Sequence, residues 1–274
     1  MNDDGRIKAL LLDWAGTAID HGSRAPARVF VEVFAAFGIE LTEAEARGPM
    51  GMAKRDHVAA ILSLPRVQGL WRRIHDRETS PEDVDEIYRR FLPLQKAVLA
   101  GHCEPIPGVV EAVDFCRRHG IAIGSTTGYT KELMDVVIPA AARAGFAPDV
   151  VVCSDEVPAG RPAPWGNFRA AERLGIFPPA FIVVIDDTAP GVAAGRNAGM
   201  PTLGVTLTGN GLGLSSGKLA SLAAEDRARR AAAVGVVLLD AGADGCLDSV
   251  ADLPAWLEAQ DFRSPFSHLR RSQS

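Results

Sequence analysis

Three short apolar runs share one pattern along this chain. Residues 7–12 stop at Asp13, residues 121–124 stop at Ser125-Thr126-Thr127-Gly128, and residues 181–185 stop at Asp186-Asp187-Thr188. Continuous apolar runs of this length read as strands buried on both faces, the situation of a parallel sheet. Between them the apolar positions take helical spacing, as at 109–119, where Gly120 supplies a C-terminal stop. Strands alternating with helices predict a doubly wound, Rossmann-like α/β sheet, whose ligands gather at the carboxyl ends of the strands. All three polar clusters fall at that edge.

Residues 22–99 have a different texture. Segments 26–37, 43–47, 54–62 and 81–98 carry helical spacing with no convincing strand, which predicts a helical insertion after the first strand. The expected division is an α/β core of residues 1–21 and 100–274 with a helical cap at 22–99. Arg72, Arg73, Arg89 and Arg90 read as solvated faces of the cap helices. Past Met200 the pattern predicts a strand at 202–207, a Gly/Ser-rich loop, a charged helix through Arg230, a last strand near 236–239 and a loose tail from 264.

Composition narrows the class. With 274 residues, 47% hydrophobic and 23% charged, the chain is an ordinary globular protein, not a disordered or fibrous one. A net charge of −5 speaks against a nucleic-acid partner. The acidic start Met1-Asn2-Asp3-Asp4 and the shortness of the apolar runs indicate no targeting signal and no membrane span, so a cytoplasmic location is expected. Cys103, Cys116, Cys153 and Cys246 are scattered without a Cys-x-x-Cys pair, which suits reduced, packed thiols.

The polar clusters carry chemistry. Asp13 ends a strand and is followed by Gly16 and Thr17, which can turn the chain beneath it; a carboxylate so placed can attack phosphorus and form an acyl phosphate, or simply cap a helix. Ser125 to Gly128 offer hydroxyls and amides for phosphate oxygens. Asp186 and Asp187 bring paired carboxylates to the same edge, where oxygen ligands from two strands can hold Mg²⁺. Gly209-Asn210-Gly211-Leu212-Gly213 looks superficially like a dinucleotide loop, but Leu214 stands where the third Gly belongs. Ser215-Ser216-Gly217-Lys218 satisfies Ser-x-x-Lys without that class's partner motifs and reads as a loop.

In order along the chain these clusters resemble the haloacid dehalogenase superfamily, with Asp13 in the nucleophile motif, Thr127 in the second, Arg161 as the basic element and Asp187 in the acidic motif. Most phosphatases of that superfamily carry a second Asp two residues after the nucleophile, where this chain has Ala15. Asp-Trp-Ala-Gly-Thr at 13–17, Pro49-Met50-Gly51 with Lys54 and Asp56-His57-Val58, Gly124 to Thr130, and Pro158 to Trp165 resemble the phosphonoacetaldehyde hydrolase branch, up to about residue 210. The resemblance implies cleavage of a carbon–phosphorus bond through an imine on Lys54 and an aspartyl phosphate on Asp13. It also implies Mg²⁺ held by Asp13, the Ala15 carbonyl and Asp187, with phosphoryl oxygens on Thr127, Gly128 and Arg161. Met50, His57 and Tyr129 would line the site, and a homodimer would form through the caps. Some relatives place an Asp at the Gly191 position, and Asp186 would stand in for it here. The competing expectation is a capped phosphatase for a small phosphate ester.

Overall fold

A computed structural model describes residues 5–265. Its six strands, β1 (Ala9–Leu12), β2 (Ala122–Thr126), β3 (Val150–Val152), β4 (Ile182–Asp186), β5 (Thr202–Val205) and β6 (Gly245–Leu247), form one parallel sheet in the order β3-β2-β1-β4-β5-β6. β1 is central, with Ala9 in register with Ala122 on one side and Ile182 on the other. The period of two along each strand splits the core. Leu10, Leu12, Ile123, Val183 and Ile185 pack on one face with Trp14, while Ala9, Leu11, Ile182 and Val184 pack on the other with Ala170 and Met200. The chain winds outward from β1 through β2 to β3, then restarts at β4 on the opposite side. The sheet therefore switches direction between β1 and β4, and a crevice opens beyond their carboxyl ends.

The helices are α1 (Arg24–Ala35), α2 (Glu43–Arg47), α3 (Lys54–Leu62), α4 (Pro65–His75), α5 (Pro81–Leu99), α6 (Val109–Arg118), α7 (Lys131–Arg143), α8 (Trp165–Leu174), α9 (Ala189–Asn197), α10 (Ser216–Ala220), α11 (Ala224–Asp240) and α12 (Leu253–Ala259). Five of them, α1 to α5, follow β1 before the chain returns at α6. Their starts are well specified: Thr42 and Ser80 form capping boxes with Glu45 and Asp83, and Pro65 and Pro81 open α4 and α5. They bury a cluster of their own, in which Phe30 stacks on Phe91 at 4.4 Å between centroids. Arg72, Arg73, Arg89 and Arg90 are exposed, as expected of solvated faces.

Several expectations require correction. Residues 236–239 are not a strand but the last turns of α11; Val236, Val237 and Leu239 are at least half exposed and Leu238 alone of the four is buried. A four-residue apolar run does not distinguish helix from strand by periodicity. The true last strand, Gly-Cys-Leu, buries only Leu247 and carries almost no hydrophobic signal. β3 and α4 are further elements beyond those expected, and Ser215 caps α10 instead of lying in a loop. Of the expected tail, Ser264 is buried with its N–H on the Gly5 carbonyl, and residues 266–274 lie outside the described residues. All four cysteines are free; burial pushes the Cys116 and Cys153 thiols up to about 12, whereas Cys246 is exposed rather than packed. No helix among the described residues is long and apolar enough to cross a membrane.

The helical course of 236–239 has a stability signature. Leu238→Ala should cost about 2–5 kcal/mol, whereas Val237→Ala should stay within about 0.5 kcal/mol, as read by denaturant unfolding. Comparable losses at 236 and 238 would instead indicate strand-like alternation.

Candidate active site

Asp13 leaves β1 at the switch point, its N–H on the Ile185 carbonyl at 3.0 Å. The chain then turns sharply: the Trp14 carbonyl accepts from Thr17, Ala18 and Ile19. Gly16 sits at φ +93°, and a Cβ there would lie 2.3 Å from Asp187 Oδ2. Glycine is what lets this turn press against the carboxylate from β4. Thr17 Oγ1 donates to Asp187 Oδ1 at 2.9 Å, and the Asn210 N–H donates to Oδ2 at 2.7 Å. Asp186, one residue earlier, accepts from the Thr188 N–H and hydroxyl at 2.9 and 2.7 Å.

Asp13, Asp186 and Asp187 thus converge, with one carboxylate oxygen from each within 4.8 Å of the others and all three side chains buried. Arg161 is wedged among them. Its Nη1 donates to Asp13 Oδ1 at 2.7 Å and lies 3.0 Å from Asp186 Oδ2, while Nη2 donates to the carbonyl and hydroxyl of Thr126. Burial disfavours the guanidinium charge, but Asp186 and Asp13 outweigh it and hold Arg161 cationic. Burial also raises Asp187 well above the usual carboxylate range, reinforced by the charges of Asp13 and Asp186. Three buried carboxyl groups crowded beside one fixed guanidinium resist ionising together, and hard oxygen donors this close suit a divalent cation that would take the place of the protons. The residues therefore fit a metal site.

Lys54 approaches from the first turn of α3. It is buried, with Nζ 4.0 Å from Met50 Sδ and 5.0 Å from the centre of the Tyr129 ring. Burial pushes its amine down to about 8 from an ordinary 10.5; Asp13 and Asp187 resist that fall and Arg161 favours it. Lys54, Asp13, Arg161, Thr127, Gly128 and Tyr129 line one small cavity of about 20 Å³, which Met50 and Ala15 also border. The neighbouring cleft of about 1300 Å³ is far larger and is lined by Met50, Asp187 and Asn210, but it touches neither Asp13 nor Lys54, which share the small cavity.

The insertion reaches this depth because glycines remove side chains at the points of closest approach. A Cβ on Gly51 would lie 2.2 Å from Thr188 Oγ1, and one on Gly128 would lie 2.5 Å from the Met52 carbonyl oxygen. His57, unlike Met50 and Tyr129, does not line this cavity. It is buried behind Lys54, away from the cavity wall, stacked on Phe30 at 3.8 Å with Nε2–H donating to the Ala46 carbonyl at 2.9 Å. Burial and then the Lys54 charge hold it neutral, so Nδ1 is a bare, unpartnered acceptor. Ser23, at φ +47°, also borders the cavity with an unpartnered hydroxyl; nothing in its sequence surroundings marks it. Asn210 belongs to the glycine-rich loop set aside above, where the signal is close approach: a Cβ on Gly209 would lie 2.3 Å from that of Asp187.

Gly191 and Asp186 compete for one space. A Cβ at 191 would lie 2.0 Å from the Asp186 Cγ, so the Asp186 carboxylate occupies the position that a side chain at 191 would enter.

Comparison with known proteins adds an independent line. A model of the haloacid dehalogenase-like hydrolase family matches residues 7–199. The phosphonoacetaldehyde hydrolase of Nitratidesulfovibrio vulgaris is 45% identical over 260 residues, covering 95% of this chain and 93% of its own. That of Paraburkholderia xenovorans is 43% identical over 90% of this chain and 92% of its own. The crystal structure of a phosphonoacetaldehyde hydrolase-like protein from Oleispira antarctica superposes with a TM-score of 0.91 at 36% identity, covering 93% of this chain and 92% of that one. The likeness therefore continues past residue 210, beyond the last of the legible motifs.

The competition at 191 gives a testable pair. Gly191→Asp alone should destabilise by about 2–4 kcal/mol through overpacking and a second buried like charge. The double change Asp186→Gly with Gly191→Asp should recover most of that loss in thermal unfolding. A double variant no better than the single one would refute the exchange.

Proposed function

This chain belongs to the haloacid dehalogenase-like hydrolases and, within them, to the phosphonoacetaldehyde hydrolases; from that membership and the site geometry we propose that it cleaves the carbon–phosphorus bond of phosphonoacetaldehyde to give acetaldehyde and phosphate. The observation that carries the mechanism is a buried, easily neutralised Lys54 in the same small cavity as Asp13. Breaking a carbon–phosphorus bond leaves its electron pair on carbon, and no simple acid stabilises a carbanion. An imine on the adjacent carbon does.

The neutral Lys54 amine adds to the aldehyde carbon, and loss of water gives the imine, protonated on nitrogen. Asp13 then attacks phosphorus, the carbon–phosphorus electrons move into the protonated imine, and an enamine and an aspartyl phosphate result. Water hydrolyses the aspartyl phosphate. Protonation of the enamine carbon and hydrolysis of the imine release acetaldehyde and restore Lys54. Thr127, Gly128 and Arg161 hold the phosphoryl oxygens. Ala15, where a carboxylic acid would serve an ester-cleaving relative, suits a leaving group that takes its electrons into an imine. Asp13, the Ala15 carbonyl and Asp187 would hold the proposed cation, Mg²⁺, which would supply positive charge against that building on the phosphoryl oxygens. Met50 and Tyr129 keep the Lys54 surroundings poor in water, and His57, neutral behind it, adds no competing charge. Residues 22–99 act as the cap and residues 1–21 with 100–274 as the core, the cap closing over Asp13 to exclude water from the imine. The same reading gives a cytoplasmic homodimer joined through the caps.

Borohydride added with phosphonoacetaldehyde should fix an adduct on Lys54, located by peptide mass spectrometry. Lys54→Arg keeps charge but forms no imine, so turnover should fall by roughly a thousandfold or more. Full activity in that variant, or hydrolysis of phosphate esters alone, would point to the ester phosphatase.

The amine also sets a pH dependence. The neutral form adds to the aldehyde, so the trapping rate should rise about tenfold per pH unit below 8 and level off above about 8. A rise that continues towards 10.5 would show that burial does not depress this amine.

A further inference from the structure

The loop at 208–213 takes no direct part in the reaction above, yet it joins the insertion to the acidic cluster. Arg47, the last residue of α2, is 12% exposed and spends its guanidinium on three segments at once. Nε donates to Glu43 Oε1 at 2.8 Å on its own helix. Nη1 donates to the carbonyls of Gly22 and Ser23 at 2.9 and 3.3 Å, where the chain enters the insertion, and to Asn210 Oδ1 at 3.1 Å. Nη2 donates to the Gly213 carbonyl at 3.4 Å. Asn210 returns the contact, its Nδ2 donating to the Arg47 carbonyl at 3.2 Å. A side chain at Gly213, whose φ is +65°, would put its Cβ 2.6 Å from Arg47 Cζ, so the close seat depends on glycine.

The other edge of Asn210 faces the chemistry. Its backbone N–H is one of the two donors that hold Asp187, and the flanking Thr208 hydroxyl donates to the Gly16 carbonyl in the nucleophile turn. We propose that Arg47 and Asn210 are a positioning pair, through which seating of the helical insertion fixes the loop that orients Asp187. Lifting α2 away would strip the guanidinium of its acceptors at Gly22, Ser23, Asn210 and Gly213 and the Asn210 side chain of both its partners. The 2.7 Å hydrogen bond on Asp187 is then anchored only by the loop's own backbone. The pair links closure at Lys54 to geometry at Asp187 without itself touching the reacting atoms. This proposal rests on the metal and cap roles given above.

The test uses full-length Arg47→Ala, Arg47→Lys, Asn210→Ala and the double Arg47→Ala/Asn210→Ala variant. Hydrogen exchange at the Asn210 amide is followed in protein without metal or substrate, and Mg²⁺ binding is followed by calorimetry. Arg47→Ala should speed exchange at that amide at least about tenfold and weaken Mg²⁺ by about 10- to 100-fold. Arg47→Lys should show part of both effects, because an ammonium lacks the fork. Asn210→Ala should match Arg47→Ala, and the double variant should lose no more than the worse single one. Unchanged exchange and Mg²⁺ affinity in all variants, or losses that multiply in the double, would overturn the pair. Should Arg47→Ala not fold, Arg47→Lys and Asn210→Ala carry the same comparison. Wild type that binds Mg²⁺ but leaves phosphonoacetaldehyde intact would refute the substrate reading while leaving these outcomes readable.

Discussion

Three carboxylates buried within 4.8 Å of one another are the constraint on which the rest of the architecture turns. Like charges in a low-dielectric site repel strongly, and each has also lost its hydration. Such a cluster persists only where donors and a counter-charge offset that cost. Here Thr17, Asn210 and Thr188 supply neutral donors, and Arg161 supplies the fixed positive charge shared by Asp13 and Asp186. These donors come from the β1 turn, the loop after β5 and the start of α9, so the acids are assembled by the parallel sheet's switch point rather than by any local motif.

The second constraint is closeness. Lys54 reaches the acids because the helical insertion packs closely at Gly51, against the Thr188 side chain, and at Gly128, against the Met52 carbonyl, where a methyl group would collide. Burial at that depth depresses the Lys54 amine, and the nearby carboxylates limit how far. Desolvation and Coulomb attraction thus pull in opposite directions on one group. Their balance near 8 leaves about a tenth of the amine neutral at pH 7, against roughly one part in three thousand for an unperturbed lysine.

The parallel sheet, its central strand and the three polar clusters at its edge are legible in the sequence because each strand is a short apolar run cut off by acids or hydroxyls. Asp13, Thr127 and Asp187 fall out of that pattern. Arg161 and Lys54 do not: neither ends an apolar run, and each is singled out only by family resemblance. β6 and the helical end of α11 are misread for one physical reason, since burial in both depends on a neighbour rather than on local period. Leu247 and Leu238 are buried while most residues around them are exposed. Arg47 and Ser23 show no signal at all, because their roles arise from contacts made across the chain.

Asp186 and Gly191 show how the acidic cluster tolerates change. The carboxylate of Asp186 fills the space above Gly191, accepts from Thr188 and reaches Arg161, so it supports the guanidinium that in turn holds Asp13. An acid entering from position 191 would occupy that same volume, and the site has charge compensation for only one of the two. In this structure the acid beside Arg161 comes from position 186. A side chain can enter from 191 only if Asp186 gives way, because the two would fill one volume.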